Sequence, residues 1–427
     1  MTGNKKFVNW LVVFVLFMGA LVNYIDRVNI SVTAPMMIKE YGWDTASLGI
    51  VFSSFFWGYF LLQMPAGWLA DRFGGRRILF GSSLLWAALR LLTAFPGSLF
   101  GLTTVRAVLG ATEASNNPAQ ASFIGRHLPR ALVGRIQGFT HSAISLGPLI
   151  ATTLAVYCIT QWGWRSVYYV FAGLSMLWSL AWFWTTKFSG MTDDVAAEQP
   201  SAEVIESKPK DGIFENPLRK AEVWGSSIAW FSNSYVFYFF LFWLPTYFIK
   251  ARGMSVQEMA GLATIPWVVL FCTMNFGGWV VDIIKRKSKH SIFWRRMVFA
   301  GGFVWSAVFI FPLQNVETSG QAVLLISLAF LGLGWTWPVA SALPIEYAPR
   351  KAGLITGFMN SWGQVAGIVA PIITGAVIAG GKWDKAFLVA AVVSLLGALL
   401  VAIPSHYSTG VANSSELFNP SPTATKP

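Results

Sequence analysis

The chain has 427 residues, of which 55% are hydrophobic and 12% are charged, and its mean hydropathy is +0.55. This composition excludes an ordinary soluble globular protein and indicates a polytopic helical membrane protein, because several apolar runs reach the roughly 20 residues that a helix needs to cross the hydrocarbon layer. The net charge of +12 does not indicate nucleic-acid binding, since the basic residues are confined to short loops beside the apolar runs.

Apolar segments bounded by charges, glycines and prolines predict twelve membrane-spanning helices, numbered here as spans 1 to 12. A polar stretch between spans 6 and 7 carries acidic residues, lysines and prolines and cannot bury enough surface to fold alone. It predicts a cytoplasmic linker at 188–222 between two six-helix halves, 1–187 and 223–405, followed by a disordered cytoplasmic tail at 406–427. The twelve predicted spans cover residues 7–35, 46–70, 77–96, 98–124, 134–160, 164–186, 223–249, 256–283, 293–313, 320–346, 352–378 and 384–404.

The distribution of Lys and Arg predicts the orientation of these spans. Most basic residues lie at the N-terminus, in the linker and in the loops that follow even-numbered spans, which places both termini in the cytoplasm. The first apolar run continues past twenty residues from Phe7 without a small-residue cleavage site, so it is predicted to be a span and not a signal peptide. Cys158 and Cys272 both lie inside predicted helices, so the sequence predicts no disulfide framework, no metal site and no cofactor.

Two spans carry charges far from their ends. Span 1 contains Asp26 and Arg27, and span 4 contains Arg106 and Glu113. A charge at the bilayer centre costs roughly 2.5–3.5 kcal/mol on insertion scales, so such residues usually face a bundle interior or a water-filled cavity. Arg106 and Glu113 share one helix face at i and i+7, whereas Asp26 points about 100° away from the stripe that Arg27 shares with Tyr24. The geometry therefore allows Arg27 and Asp26 separate roles.

The two halves also repeat short motifs in the same order. Gly67 to Asp71 lies at the end of span 2 as Gly278 to Asp282 lies at the end of span 8, and each motif precedes a basic cluster. Matching Pro-Arg and Gly-Phe pairs follow later in both halves. This order predicts a tandem duplication, and transporters with internal repeats place their binding site at the repeat interface.

The run GWLADRFGGRR, from Gly67 to Arg77, resembles the cytoplasmic loop signature of the major facilitator superfamily. In that family the loop is a gate whose Asp caps and charge-pairs with a neighbouring helix while its Arg residues tether helix ends. The second copy departs from the pattern, because Ile283 replaces the Arg after Asp282. Positive-inside charge without a gating role is the alternative. The resemblance implies a gate formed by Asp71, Arg72, Arg76 and Arg77, with Asp282 as a partial match.

Two further runs, NYIDRVNISVTAP in span 1 and RAVLGATEASNNPA in span 4, resemble the anion:cation symporter family. Members of that family carry sugar acids, phthalate-like acids, vitamins and other carboxylates with protons or sodium. The resemblance implies Asp26 and Glu113 as proton-coupling groups, with Arg106 compensating the deprotonated state. Arg27 is predicted to bind the substrate carboxylate, because a guanidinium offers a planar fork that stays charged. A static salt-bridge cluster is the alternative.

Other polar or aromatic side chains are predicted to face the same cavity. Helix packing is the alternative for these residues, and His141 is favoured as an internally hydrogen-bonded histidine. Arg90 in span 3 stands where the resembling family has an apolar or small residue, and it is expected to snorkel to the extracellular interface. Besides Tyr24, the candidate substrate contacts are Tyr59, His141, Tyr235, Trp337, Asn360, Ser361 and Gln364.

Together these features predict a monomeric, proton-coupled symporter of the bacterial inner membrane that imports a small organic anion, a sugar acid or an aromatic carboxylate. Its partners would be the anion, protons and the lipid bilayer, with no nucleic acid and no enzymatic activity. Alternatives are a proton-driven efflux antiporter, a sodium-coupled transporter and a non-transporting membrane receptor or enzyme. Two arginines inside spans argue against a cationic cargo, and the sequence supplies no nucleophile–base pair for an enzyme.

Overall fold

Helices account for nearly all of the secondary structure in the computed structural model, which describes residues 2–128, 133–191, 217–287, 291–347 and 352–402. Within those ranges there are thirteen α-helices and no strand. In chain order they are α1 (Thr2–Tyr41), α2 (Thr45–Phe73), α3 (Gly75–Thr93), α4 (Leu99–Glu113), α5 (Asn116–His127), α6 (Val133–Trp162), α7 (Arg165–Phe188), α8 (Ala221–Thr246), α9 (Val256–Lys287), α10 (Ser291–Ile310), α11 (Ser319–Tyr347), α12 (Ala352–Ile378) and α13 (Trp383–Ala402).

Each of the twelve predicted spans is occupied by helix, and the all-helical membrane fold is confirmed. Ten helices in the described ranges are long and apolar enough to cross a membrane. The two segments that fall short are α3, which carries three arginines, and span 4, which is divided into α4 and α5 at Ala114 and Ser115. Most of the predicted linker and the whole predicted tail lie outside the described residues.

The two halves use the same helix pairings. In the N-terminal half α1 packs against α6, α2 against α4, and α3 against α7; in the C-terminal half α8 packs against α12, α9 against α11, and α10 against α13. These pairs correspond one to one when span 1 is matched with span 7. The repeated packing agrees with the duplication predicted from the short motifs.

Glycines allow the closest helix crossings within each half. A Cβ at Gly58 of α2 would collide with the backbone carbonyl of Ala107, and one at Gly110 of α4 would collide with that of Phe55. In the other half, a Cβ at Gly334 of α11 would lie 2.6 Å from the Cβ of Thr273. Such small-residue contacts let backbones approach where lipid offers no hydrophobic driving force for helix association.

The halves meet at the ends of α2 and α12 that are predicted to be extracellular. A Cβ at Gly49 would lie 2.5 Å from the carbonyl oxygen of Pro371, and one at Gly375 would lie 2.6 Å from that of Thr45. Toward the other end of the same helices, Met64 is 85% exposed and Asn360 is also exposed. With the predicted orientation, this is an inward-open arrangement.

Candidate functional site

Asp26 lies in the interior of the N-terminal half and is fully buried. Its Oδ2 forms an ion pair with Nη2 of Arg90 on α3, and its Oδ1 accepts a hydrogen bond from Asn29 Nδ2 at 3.1 Å. The side chain thus points toward a neighbouring helix and away from Arg27, as the helical periodicity of span 1 predicts.

Arg90 does not reach the membrane surface, and the expectation that it snorkels is wrong. It is 1% exposed, and its Nη1 donates to the carbonyl oxygen of Phe171 at 2.8 Å and to the hydroxyl of Ser175. Its Nη2 also lies 3.9 Å from Oε1 of Glu113. These buried oxygen atoms provide the hydrogen-bond acceptors and negative charge that a snorkelling arginine would find at the membrane interface. A single sequence does not reveal which helices face α3, so it could not identify them.

Glu113 ends α4 at the point where span 4 is divided, and it is fully buried. Its Oε2 accepts a hydrogen bond from Asn23 Nδ2 at 2.8 Å, and its Oε1 has no hydrogen-bond partner among the described residues. Arg106, expected to compensate this carboxylate, is close enough for its charge to act on Glu113, and its Cζ lies 4.9 Å from the centre of the Phe55 ring. Of the ion pairs in the described ranges, the one that Glu113 makes is with Arg90.

Arg27 lies between aromatic rings where the two halves meet, and it is 1% exposed. Its Cζ is 4.6 Å from the ring centre of Tyr24, 5.0 Å from that of Tyr59 and 5.3 Å from that of Phe55. Tyr238 on α8 faces the same guanidinium from the C-terminal half. The Nε of Arg27 has no hydrogen-bond partner in the described part of the chain. The aromatic rings thus surround a guanidinium that can still donate a hydrogen bond.

The cluster carries more positive than negative charge. Three buried arginines (Arg27, Arg90 and Arg106) share the interior with two carboxylates, those of Asp26 and Glu113. Arg106 also has two guanidinium nitrogens, Nε and Nη2, without a hydrogen-bond partner among the residues described. Because a buried charge is stable only when it is compensated, this arrangement can hold an anion at its open guanidinium edges.

A small cavity adjoins this cluster on the predicted cytoplasmic side of Tyr24. It lies between α1, α5 and α6, beside the amide groups that follow the division of span 4. Tyr59 borders the same region, since its hydroxyl accepts a hydrogen bond from Asn117 Nδ2 at 3.4 Å. The cavity is lined by Ala20, Tyr24, Asn117, Gln120, Ala121, Ile124, Thr140 and Ile144.

The predicted contacts in the C-terminal half differ in whether their polar atoms already have partners. Gln364 Oε1 and Trp337 Nε1 are buried and have no hydrogen-bond partner in the described ranges. Tyr235, by contrast, is 2% exposed with its hydroxyl paired to Thr374, and Ser361 Oγ donates to a carbonyl of its own helix at 3.0 Å. Asn360 is exposed at the open end.

The predicted gate is described in part. Arg76 Nε donates to Thr186 Oγ1 at 2.8 Å, which ties the start of α3 to the end of α7. The Cζ of Arg72 lies 5.1 Å from the ring centre of Trp68, and Arg77 also has an interaction partner. The side chains of Asp71, Asp282 and His141 lie outside the described part of the structure.

The sequence did not assign three side chains of this cluster to the site, namely Arg90, Asn23 and Tyr238. The sequence does contain a signal for Arg90, because an arginine inside an apolar span needs a buried partner for the same reason that Asp26 does. Asn23 lies one turn before Arg27 and Tyr238 lies in a long aromatic run, so neither could be distinguished from its neighbours.

Comparison with known proteins agrees with this architecture. A family model described as the Major Facilitator Superfamily matches residues 16–294 and 291–425. The chain is 31% identical over 398 residues to a probable sulfoacetate transporter of Cupriavidus necator, with 91% of this chain and 92% of the relative covered. It is 30% identical over 399 residues to the chloroplastic ascorbate transporter of Arabidopsis thaliana, with coverage of 92% and 74%. A probable galactarate/D-glucarate transporter of Bacillus subtilis is 29% identical over 430 residues, with coverage of 94% and 93%.

Solved structures share the fold at low sequence identity. A D-xylose-proton symporter superposes with a TM-score of 0.74 at 17% identity, covering 93% of this chain and 98% of the other. A bacterial homologue of the human lysosomal transporter Spinster, in an inward-facing and unoccupied conformation, superposes with a TM-score of 0.73 at 16% identity, with coverage of 94% and 95%. Together with the family match over both halves, these findings confirm the predicted superfamily: the chain belongs to the Major Facilitator Superfamily, whose members are transporters and not enzymes.

Proposed function

We propose that this protein is a proton-coupled symporter that carries a small organic anion across the membrane by alternating access, with Arg27 binding the anion. The observation that carries the proposal is the position of Arg27, which is buried where the halves meet and faced by Tyr59 of one half and Tyr238 of the other. Because Arg27 contacts both halves, its surroundings change when one half moves against the other.

The excess of buried arginines supports an anionic cargo. A cation entering beside Arg27 and Arg106 would meet two guanidinium groups with unpaired nitrogens, whereas a carboxylate or sulfonate would complete their hydrogen bonds. The names of the relatives point the same way, since they include sulfoacetate, ascorbate and galactarate or D-glucarate transporters. They favour small acids over the aromatic carboxylates that the sequence left open.

Glu113 is the proposed site of proton uptake. It is fully buried, one of its oxygens has no hydrogen-bond partner in the described ranges, and the other accepts a hydrogen bond from the neutral amide of Asn23. A buried carboxylate in this setting gains a proton when its compensating charges move away and loses it when they return. Proton coupling also fits the likeness of the fold to a D-xylose-proton symporter.

The proposed cycle imports the anion through the bacterial inner membrane, with both termini in the cytoplasm. Protonation of Glu113 from outside accompanies docking of the anion on Arg27, and rocking of the halves then opens the cytoplasmic side. The basic loop residues Arg72, Arg76 and Arg77 supply the proposed gate at that side, and their excess over the opposite side supports the orientation.

Uptake into proteoliposomes tests this function. Purified protein would be reconstituted and offered labelled D-glucarate, D-galactonate or sulfoacetate under an inward proton gradient, a sodium gradient or neither. We expect accumulation of at least one acid with the proton gradient alone, and its loss in Arg27→Ala. Arg165→Ala is the matched control, because Arg165 is 38% exposed and pairs with Glu40 at the membrane surface. Normal uptake by Arg27→Ala would refute the binding role, and dependence on sodium alone would refute proton coupling.

A further inference from the structure

Asp26 and Glu113 are both buried carboxylates near Arg90, yet their surroundings differ. Asp26 forms its ion pair directly with the Arg90 guanidinium, and its second oxygen accepts a hydrogen bond from Asn29. Glu113 lies 3.9 Å from the same guanidinium, which is beyond hydrogen-bond distance, and accepts its hydrogen bond from Asn23. The two carboxylates are therefore not equivalent.

Arg90 is itself held in place by groups of a third helix. Its Nη1 donates to the carbonyl of Phe171 and the hydroxyl of Ser175, both on α7. The helices α1, α3 and α7 all belong to the N-terminal half, and α7 packs against both of the others. When one half rocks against the other as a body, the Asp26–Arg90 pair moves as a unit and is not separated.

Protonation of Asp26 would remove the direct counterion of the buried Arg90 guanidinium and leave Glu113, 3.9 Å away and beyond hydrogen-bond distance, as its nearest carboxylate. Removing one partner of a buried ion pair is strongly unfavourable, because the remaining charge is uncompensated in a medium of low polarity. Protonation of Glu113 has no such consequence, since Arg90 keeps Asp26 as its counterion. The other ionisable groups of this buried cluster are Arg27 on α1, Arg106 on α4 and Tyr168 on α7; the two arginines act on Glu113, and Tyr168 acts on Arg106. Helix α6, which packs against α1, carries the ionisable His141, whose side chain lies outside the described part of the structure.

We propose that Arg90 is a built-in countercation that keeps Asp26 ionised throughout the transport cycle, so that Glu113 is the one carboxylate of this pair that carries the transported proton. This inference rests on the proposed proton coupling and narrows it, because the resemblance of span 1 implied that both carboxylates exchange protons. One proton per cycle then passes through the cluster.

Infrared difference spectroscopy of the purified protein tests the assignment without requiring a substrate. A protonated carboxyl has a carbonyl stretching band that a carboxylate lacks, and the band of one residue is identified by its loss in a single variant. Spectra would be recorded across the pH range in which the protein stays folded. We expect Glu113→Gln to remove a titrating carboxyl band and Asp26→Asn to remove none. A band that is present in the wild type and missing in Asp26→Asn would overturn the proposal.

Variants of Arg90 separate an electrostatic role from a merely structural one. Arg90→Leu should create a new carboxyl band that disappears in the double variant with Asp26→Asn, whereas Arg90→Lys should create none, because the charge is retained. Where Arg90→Leu does not fold, the comparison of Asp26→Asn with the wild type decides the assignment. Absence of the new band in folded Arg90→Leu would overturn the proposal.

The outcome is distinguishable from a failure of the proposed function. Transport that is independent of the proton gradient would refute the proposed coupling, while the comparison with Asp26→Asn would still decide whether Asp26 stays ionised. Proton-driven accumulation that persists in Glu113→Gln would overturn the assignment of the proton to Glu113 and leave proton-coupled symport standing, since the proton would then be carried by another group.

Discussion

Adding one methyl group at Gly49 should shift the protein from its inward-open to its outward-open arrangement. The new Cβ would lie 2.5 Å from the carbonyl oxygen of Pro371 and 3.3 Å from the Cα of Ile372, both of which are backbone atoms that cannot rotate away. Ordinary contact requires α2 and α12 to separate by about 1 Å, and overpacking of this kind costs about 1–3 kcal/mol. Because this contact joins the halves only while their extracellular ends are closed, we expect a shift in population of roughly 5- to 150-fold.

Pulsed electron paramagnetic resonance between spin labels at the outer ends of α2 and α12 would measure this shift, in a background without Cys158 and Cys272. Two matched glycines serve as controls. Gly58→Ala collides with Ala107 inside one half and should lower thermal stability without changing the inter-half distance, whereas Gly173→Ala meets nothing within 4 Å and should do neither. A distance distribution for Gly49→Ala that matches Gly173→Ala would refute the reasoning.

Three further outcomes follow from the structure. Glu113→Gln should retain anion exchange in proteoliposomes and lose proton-driven accumulation; accumulation against a gradient would contradict its role. Asp44 caps α2 by accepting a hydrogen bond from the Ser47 amide at 2.7 Å, and contacts with Ser47 hold the pKa of Asp44 below its usual value. Its stabilising effect is therefore present above the unfolded-state pKa and lost as the pH falls through the folded-state pKa. Asp44→Ala should cost about 0.5–2 kcal/mol at neutral pH, whereas Asp44→Asn should keep the cap and lose this pH dependence in thermal unfolding; identical pH profiles for wild type and Asp44→Asn would contradict it. The exposed pair of Arg165 and Glu40 should contribute only about 0–1 kcal/mol, so a larger loss of thermal stability in Glu40→Gln would count against a weak surface ion pair.

The sequence predicted the fold well because membrane spans are set by length and apolarity, which a single chain displays directly. It also separated Asp26 from Arg27, since helical periodicity fixes the angle between neighbouring side chains. It could not assign partners, because contacts between helices depend on rotation and tilt that hydropathy does not encode. Arg90 was therefore placed at the interface, although it pairs with Asp26 and lies 3.9 Å from Glu113.

The matching helix pairs of the two halves carry different chemistry at their centres. In the N-terminal half α1 contributes Asp26 and Arg27, whereas its counterpart α8 contributes Tyr238 within a run of aromatic side chains. A molecule bound at the proposed site would therefore meet charge on one side and ring faces on the other, which would give it a fixed head-to-tail direction. Variation along α8 and α12 could change which molecular tail is accepted while the charged side, and the energy coupling that we assign to it, stays constant.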